Sequence, residues 1–141
     1  MRIRRAAADA IVAHALGGYP FEVCGVLLGR NGPARRVERA LPVENRETGM
    51  PRVRYQIAPE ELLRIQREAD ARGQEIIGFY HSHPDHPARP SETDRRIAAD
   101  GLSDGVVHVV VGVEAGREAT PTAWVFHDAS EGFEPEPFEE E

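Results

Sequence analysis

The sequence predicts one α/β domain of the α-β-α sandwich type, in which helices cover both faces of a mixed β-sheet. Three observations predict this class. The chain has 141 residues, which is enough for a single sizeable core. Helical periodicities alternate with short runs that are rich in valine, isoleucine and aromatic residues. These runs do not follow a strict strand–helix–strand repeat, which favours a mixed sheet over a parallel one.

The first third of the chain predicts a helix followed by a β-hairpin. Small and apolar residues recur at three- and four-residue steps over residues 3–17, and two glycines end this helix. Residues 22–30 form an apolar run that indicates a buried strand with Glu22 at its entrance. A turn signal at 31–33 and a second run over 34–43 complete the predicted hairpin.

The middle of the chain predicts a helix and a central strand between two loops. Residues 44–51 are polar and rich in chain-breaking residues, which indicates a loop, and 53–57 predict a short strand. A proline and two glutamates begin a helix that we expect over 58–73. The apolar run 74–80 predicts the central buried strand, and a proline-rich loop follows over 84–90.

The last third predicts a helix, two strands and a disordered end. The helix covers 91–100, and the strands cover 106–113 and 122–127. Residues 131–141 contain six glutamates and no basic residue, so we expect this acidic tail to be disordered. The folded domain is therefore expected over residues 1–130.

The charge pattern argues against one class of function. The formal charge is −7 at pH 7, but six of the negative charges lie in the acidic tail, so the expected domain is close to neutral. A general nucleic-acid-binding protein would have a basic face. The chain also lacks an apolar run of the roughly 20 residues that span a bilayer, and its basic N-terminus precedes no secretory segment. These features predict a cytoplasmic protein that binds neither nucleic acid nor membranes.

Two histidines at the end of the central strand predict a metal site. His81 and His83 are two residues apart, so on a strand their side chains share a face, with Cα atoms roughly 6.5 Å apart. Asp94 can add an oxygen ligand to the two nitrogens. Such a set leaves a fourth position for water, as in catalytic zinc sites. Cys24 is the only cysteine and is interpreted as a small buried hydrophobic residue, so no cysteine cluster can bind the metal.

Glu22 and Ser91 complete the groups that a hydrolytic zinc site needs. The Glu22 carboxylate can take a proton from the metal-bound water, and the Ser91 hydroxyl can donate to a developing oxyanion. Each piece has a simpler interpretation when it is taken alone. Ser91 and Asp94 have the spacing of a helix capping box, strand-end histidines are often polar surface or core residues, and Glu22 would be an exposed charge. The combination favours the zinc site.

The order and spacing of these residues resemble the JAMM (MPN-plus) metallopeptidase family. Glu22-Val23-Cys24-Gly25 is followed by His81-Ser82-His83-Pro84, then six residues, then Ser91-x-x-Asp94. The resemblance covers nearly the whole chain, and compact prokaryotic members are the most similar. It implies a cytidine-deaminase-like fold that holds one zinc ion per chain. In this resemblance the metal ligands are His81, His83 and Asp94, the general base is Glu22, and Ser91 stabilises the tetrahedral intermediate.

The resemblance also implies a reaction and a partner. Members of the family hydrolyse peptide or isopeptide bonds after the C-terminal Gly-Gly of ubiquitin-like or sulfur-carrier proteins, so such a protein is the expected substrate. The loops at 44–51 and 84–90 are candidate walls of its groove. A non-catalytic module that binds a ubiquitin-like partner is the alternative, which the complete ligand set disfavours. A zinc nucleobase deaminase is excluded because the chain lacks the His-x-Glu and Pro-Cys-x-x-Cys elements.

Overall fold

The structure is a computed structural model that describes residues 1–52, 54–101 and 103–141. Three helices and eight strands are present in these residues. The helices are α1 (Arg5–Gly18), α2 (Pro59–Ala71) and α3 (Glu92–Asp100). The strands are β1 (Arg2–Ile3), β2 (Cys24–Arg30), β3 (Arg36–Val43), β4 (Glu75–Pro84), β5 (Val107–Glu114), β6 (Glu118–His127), β7 (Gly132–Glu136) and β8 (Glu139–Glu140).

The strands form one mixed sheet in the order β7-β6-β5-β4-β2-β3-β1-β8. Strand β4 lies in the middle, antiparallel to β2 and parallel to β5. The β2–β3 hairpin is antiparallel, as is the β5–β6 pair. The predicted mixed sheet is therefore confirmed, and its central strand is the one that carries the two histidines of the predicted metal site.

The helices cover both faces of this sheet. On one face, Ile11 of α1 packs in a buried cluster with Leu27 and Val109. On the other face, Ile65 of α2 packs in a second cluster with Val26. Neighbours on β2 thus contribute to opposite clusters, because side chains alternate along a strand. The predicted sandwich is confirmed. In the described part of the chain, no helix is both long and apolar enough to cross a bilayer.

The short strand predicted at 53–57 is wrong in its described part. Val53 lies outside the described residues, and residues 54–57 have no strand conformation. The backbone N–H of Gln56 donates to the Asn45 side chain (3.0 Å), and the N–H of Arg46 donates to the carbonyl of Gln56 (2.8 Å). A side chain therefore supplies part of the hydrogen bonding that a neighbouring strand would provide.

The disorder predicted for the acidic tail is wrong for residues 132–136 and 139–140. Strand β7 pairs with β6, and β8 pairs with β1. Two phenylalanines anchor the segment: the Phe133 ring lies edge-on against Phe126 (5.3 Å between centroids), and Phe138 packs against the cluster beneath α1. Ion pairs also hold tail glutamates: Arg36, at the start of β3 on the same side of the sheet as β8, lies 3.0 Å from Glu141.

The tail also explains the curvature of the sheet. Strands β7 and β8 lie at opposite edges, yet only Pro137 and Phe138 separate them in the sequence. The sheet must therefore curl until its two edges come close together. The Arg35 side chain spans the gap, with Nη1 2.9 Å from Glu136 and Nη2 donating to the Gly105 carbonyl (3.1 Å).

Candidate metal centre

Strand β4 brings His81 and His83 together on one buried face. Their side chains are almost fully buried, and their Nε2 atoms are 3.0 Å apart. Ser82 lies between them, and its hydroxyl accepts a hydrogen bond from the Val23 N–H (2.9 Å). The Ser82 N–H in turn donates to the Val23 carbonyl (3.0 Å). The residue between the histidines therefore attaches the end of β4 to the segment that carries Glu22.

Helix α3 places Asp94 against both histidines. Its first turn is a capping box: the Ser91 hydroxyl accepts from the Asp94 N–H (3.1 Å), and Oδ2 of Asp94 accepts from the Ser91 N–H (2.8 Å). The same Oδ2 is 3.1 Å from Nε2 of His81 and 3.2 Å from Nε2 of His83. The capping and ligand interpretations of Ser91-x-x-Asp94 are thus compatible with one geometry, in which the cap orients Oδ2 of Asp94.

These three atoms fit a single metal ion. They form a triangle with sides of 3.0, 3.1 and 3.2 Å. Ligands 2.0–2.1 Å from a tetrahedral zinc ion are about 3.3 Å apart, so an ion needs shifts of only a few tenths of an ångström. Nδ1 of His83 is 2.9 Å from the Pro87 carbonyl, which can only accept. The ring proton therefore lies on Nδ1, and Nε2 keeps its lone pair for a metal.

The charges of these groups also suit a cation. Burial alone would raise the pKa of the Asp94 carboxyl, but hydrogen bonds with His81 and His83 hold it well below its usual range. Burial lowers the pKa of His81. Burial also acts to lower the pKa of His83, but its bonds with Asp94 and Pro87 outweigh this and raise it. At neutral pH the site therefore offers an anionic oxygen and at least one neutral imidazole.

Glu22 lies beside this triangle. Cys24 pairs with His81 in the antiparallel β2–β4 ladder. Because the two chains run in opposite directions, Glu22, two residues before Cys24, lies next to His83, two residues after His81. Glu22 is 5% exposed, and a carboxylate oxygen lies within 4.8 Å of the ligand nitrogens of both histidines. Burial raises the pKa of the Glu22 carboxyl to about 8. Asp94 contacts both nitrogens more closely, so Asp94 is the better third ligand and Glu22 is free for proton transfer.

Asn45 is a residue of this region that the sequence analysis missed. Its amide nitrogen donates to the carbonyls of Glu22 and Arg54, each at 3.0 Å. Its side-chain oxygen accepts from the N–H groups of Glu47 and Gln56, each at 3.0 Å. All four hydrogen-bonding positions of the amide are thus used. The sequence offers one signal for it: an asparagine near the start of a long loop, where backbone N–H and C=O groups lack strand partners and need other hydrogen bonds.

Tyr55 was also missed. Its ring stacks on His81 with 4.6 Å between centroids and an interplanar angle of 24°. The ring covers one side of the His81 imidazole and restricts its rotation. The sequence interpretation placed Tyr55 on a strand, where an aromatic residue is expected in any case, so no pattern distinguished it.

Two clefts meet at the site and share Arg54 and Thr93. The first, which we name the Ser91 cleft, has a volume of about 470 Å³. Its lining is Glu22, Met50, Arg54, His83, His86, Pro87, Arg89, Pro90, Ser91 and Thr93. Both loops proposed as groove walls contribute to it. The second, the Ile97 groove, has a volume of about 700 Å³ and reaches Asp94 from the other side. Its apolar lining is Ile57, Leu62, Phe79, Ile97 and Ala98.

Two histidines and a carboxylate that converge on one point are typical of metal-dependent hydrolases. The sequence pattern described as prokaryotic homologs of the JAB domain matches residues 4–127 of the chain. The protein therefore belongs to this family, and the resemblance found in its motifs is confirmed. All five predicted site residues lie within the matched region.

Two curated relatives are similar over much of the chain. A desampylase from Haloferax volcanii is 44% identical over 97 residues, which cover 66% of this chain and 68% of that protein. A CysO-cysteine peptidase from Mycobacterium tuberculosis is 36% identical over 98 residues, which cover 70% of this chain and 65% of that protein. The matched regions thus span about two thirds of these relatives' own lengths.

Solved structures agree on the fold. A solution structure of a protein from Desulfitobacterium hafniense has a TM-score of 0.84 at 27% identity, covering 99% of this chain and 92% of that one. A JAB1/MPN domain protein from Archaeoglobus fulgidus has a TM-score of 0.61 at 18% identity, covering 100% and 96%. The predicted JAMM/MPN fold class is therefore confirmed.

Proposed function

We propose that this protein is a zinc-dependent metallopeptidase that hydrolyses the amide bond after the C-terminal Gly-Gly of a ubiquitin-like or sulfur-carrier protein. The observation that carries the proposal is the triangle of ligand atoms, with sides of 3.0–3.2 Å, beside the buried carboxyl of Glu22. Family membership and the names of the two relatives, a desampylase and a CysO-cysteine peptidase, support the same enzyme class and the same class of substrate.

In this proposal, His81, His83 and Asp94 hold one zinc ion per chain. Two imidazole nitrogens and a carboxylate oxygen form a ligand set typical of catalytic zinc. When bound, zinc would lower the pKa of a water molecule and polarise the carbonyl of the scissile bond. The Pro87 carbonyl holds the ring of His83, and Tyr55 packs on the ring of His81, so both ligands are oriented before the metal arrives.

Glu22 moves the proton. Its carboxylate takes a proton from the attacking water and later passes it to the nitrogen of the leaving group. Burial raises the pKa of Glu22 above its ordinary value, which makes its carboxylate a stronger base toward water than an exposed glutamate. The hydrogen bond from Asn45 to the Glu22 carbonyl holds the backbone from which this side chain extends.

Ser91 donates to the carbonyl oxygen as negative charge develops on it. Its hydroxyl oxygen already accepts the hydrogen bond from the Asp94 N–H, so the hydroxyl proton remains available. Ser91 is exposed in the Ser91 cleft, where a substrate can reach it. A single well-placed donor of this type contributes about 10²–10³-fold to turnover.

The metal content of the purified protein tests this function. We expect about one zinc per chain in wild type and in His127→Ala, which removes a half-exposed histidine that lines neither cleft. We expect the zinc to be lost in His83→Ala. Zinc-loaded wild type should then cleave a carrier-protein fusion after Gly-Gly. A wild-type protein that stays metal-free when zinc is supplied would contradict the proposal and favour the non-catalytic binding module.

A further inference from the structure

The Ser91 cleft is cationic although the chain has a net charge of −7. Arg54, Arg89 and His86 line it, and Glu22 is its only carboxylate. Neither guanidinium takes part in an ion pair or a side-chain hydrogen bond within the part of the chain that the structure describes. The cleft thus presents two unused guanidinium groups.

The proposed reaction decides which part of the substrate meets these arginines. Glu22 must return its proton to the leaving nitrogen, so that nitrogen faces Glu22 when the C–N bond breaks. Both Glu22 and Ser91 line the Ser91 cleft, and neither lines the Ile97 groove. The leaving nitrogen therefore faces the Ser91 cleft. Arg89 lines this cleft and not the Ile97 groove, whereas Arg54 lines both.

The rest of the cleft suits one small amphipathic group. Met50, Pro87 and Pro90 add apolar surface to its lining, and its volume of about 470 Å³ lies within the range of small-molecule pockets. An amino acid has both features that this lining complements, because it combines a side chain with a free α-carboxylate. Arginine is well suited to the carboxylate, since its planar fork can donate two parallel hydrogen bonds.

We propose that Arg54 and Arg89 form a carboxylate-binding subsite for the leaving group, which selects substrates that release a single amino acid. The inference rests on the proposed function and specifies its leaving group. Hydrolysis adds the water oxygen to the glycine carbonyl carbon, breaks the C–N bond, and transfers one water proton through Glu22 to the amine. A lysine side chain in an isopeptide brings no carboxylate to the subsite, because the α-carboxyl of that lysine lies within its own polypeptide.

A matched pair of substrates tests this subsite. One is a sulfur-carrier protein extended to end in Gly-Gly-Ala with a free carboxylate, and the other is the same fusion with a C-terminal amide. We expect zinc-loaded wild type to prefer the free carboxylate by about 10- to 100-fold in kcat/KM, mainly through KM, which is the range of a hydrogen bond between charged groups. In the double variant Arg54→Gln/Arg89→Gln, the ratio of the two kcat/KM values should fall to near one. Arg67→Gln is the control, because Arg67 is exposed on α2 and lines neither cleft, so its ratio should match wild type.

Each other outcome has a distinct meaning. Equal cleavage of both fusions by wild type would overturn the subsite and leave the proposed function standing. A wild-type preference that survives in the double variant would overturn the assignment to Arg54 and Arg89. A double variant that loses both activities in proportion would show that the arginines serve the carrier protein, which also overturns the subsite. Failure to cleave either fusion would reject the proposed function, and the subsite with it.

Discussion

Oδ2 of Asp94 belongs both to a helix cap and to the candidate metal centre. It accepts the Ser91 N–H of the capping box and lies 3.1–3.2 Å from both histidine nitrogens. A carboxylate held by a backbone donor cannot rotate freely, so the proposed metal ligand is oriented by the same hydrogen bond that starts α3. The capping box of the helix interpretation is confirmed, and the same geometry is compatible with the proposed ligand role of Asp94.

Replacing Glu22 by glutamine separates catalysis from metal binding. Glutamine keeps the shape of the side chain but cannot take a proton, so we expect turnover to fall by about 10²–10⁴-fold. Zinc content should stay at the wild-type level because Glu22 is not one of the three proposed ligands. The measurement is single-turnover cleavage of a carrier fusion together with elemental analysis, with the exposed Glu60→Gln as control. Substantial activity in Glu22→Gln would contradict the role as general base.

Zinc affinity should weaken as the pH falls, because protons compete for the ligand atoms. The pKa of His83 is raised above its ordinary value of 6.5, whereas burial lowers the pKa of His81. His83 is therefore the histidine that stays protonated to the higher pH. Binding must displace that proton. Below the pKa of His83 the apparent Kd should therefore rise about tenfold for each unit of pH. Competition with a chelator between about pH 5.5 and 7.5 measures this, and a constant Kd over that range would contradict it.

The residues that could be predicted from the sequence are those placed by local geometry. Alternation along a strand puts His81 and His83 on one face, and the three-residue spacing of a capping box puts Asp94 beside Ser91. Asn45 and Tyr55 follow no such rule. Their contacts depend on how a loop of more than ten residues folds back over β2 and β4, which no short-range pattern describes.

At the scale of elements, the Asn45 side chain joins the loop between β3 and α2 to the site, together with a backbone hydrogen bond from the Glu22 N–H to the Pro51 carbonyl (2.8 Å). The Asn45 amide bonds to the backbone of Glu22 on one side and to the backbone of Arg54 and Gln56 on the other. This loop carries Tyr55 against His81 and Arg54 into the Ser91 cleft. The predicted strand is absent over its described part, residues 54–57, for the same reason, since hydrogen bonds to the Asn45 side chain replace part of a strand pairing.

Asn45→Asp should therefore reduce turnover without removing zinc. An aspartate keeps the oxygen that accepts hydrogen bonds from the Glu47 and Gln56 N–H groups. Its second oxygen replaces the amide nitrogen and cannot donate to the carbonyls of Glu22 and Arg54. Each lost bond costs about 1 kcal/mol or more, so we expect kcat to fall at least tenfold as Glu22 shifts. Asn31→Asp, at a loop asparagine far from the site, is the matched control. A variant with a lower Tm and an unchanged kcat would show that Asn45 only stabilises the fold.

At the scale of the whole molecule, the acidic tail closes the curled sheet. Composition alone predicted disorder, because glutamates dominate residues 131–141. Composition does not reveal that the partners of these glutamates, Arg35 and Arg36, lie about 100 residues earlier in the chain. Composition also gives little weight to two phenylalanines that bury apolar surface. Phe133 packs against Phe126, and Phe138 packs against the cluster beneath α1. The helices and central strands were predictable because their apolar periodicity is local, whereas the tail depends on distant partners.

Phe138→Ala tests whether the tail contributes to stability. Phe138 is half-buried against the cluster beneath α1, so its truncation should lower the free energy of unfolding by about 1–2 kcal/mol. Urea denaturation measures this, and Glu134→Gln on the exposed side of β7 should change it little. Zinc stoichiometry should stay the same in both variants, because the metal ligands belong to β4 and α3 rather than to the sheet edges. An unfolding free energy equal to that of wild type would mean that the tail does not pack on the domain in solution. A loss of zinc at unchanged stability would mean instead that closing the sheet shapes the metal centre.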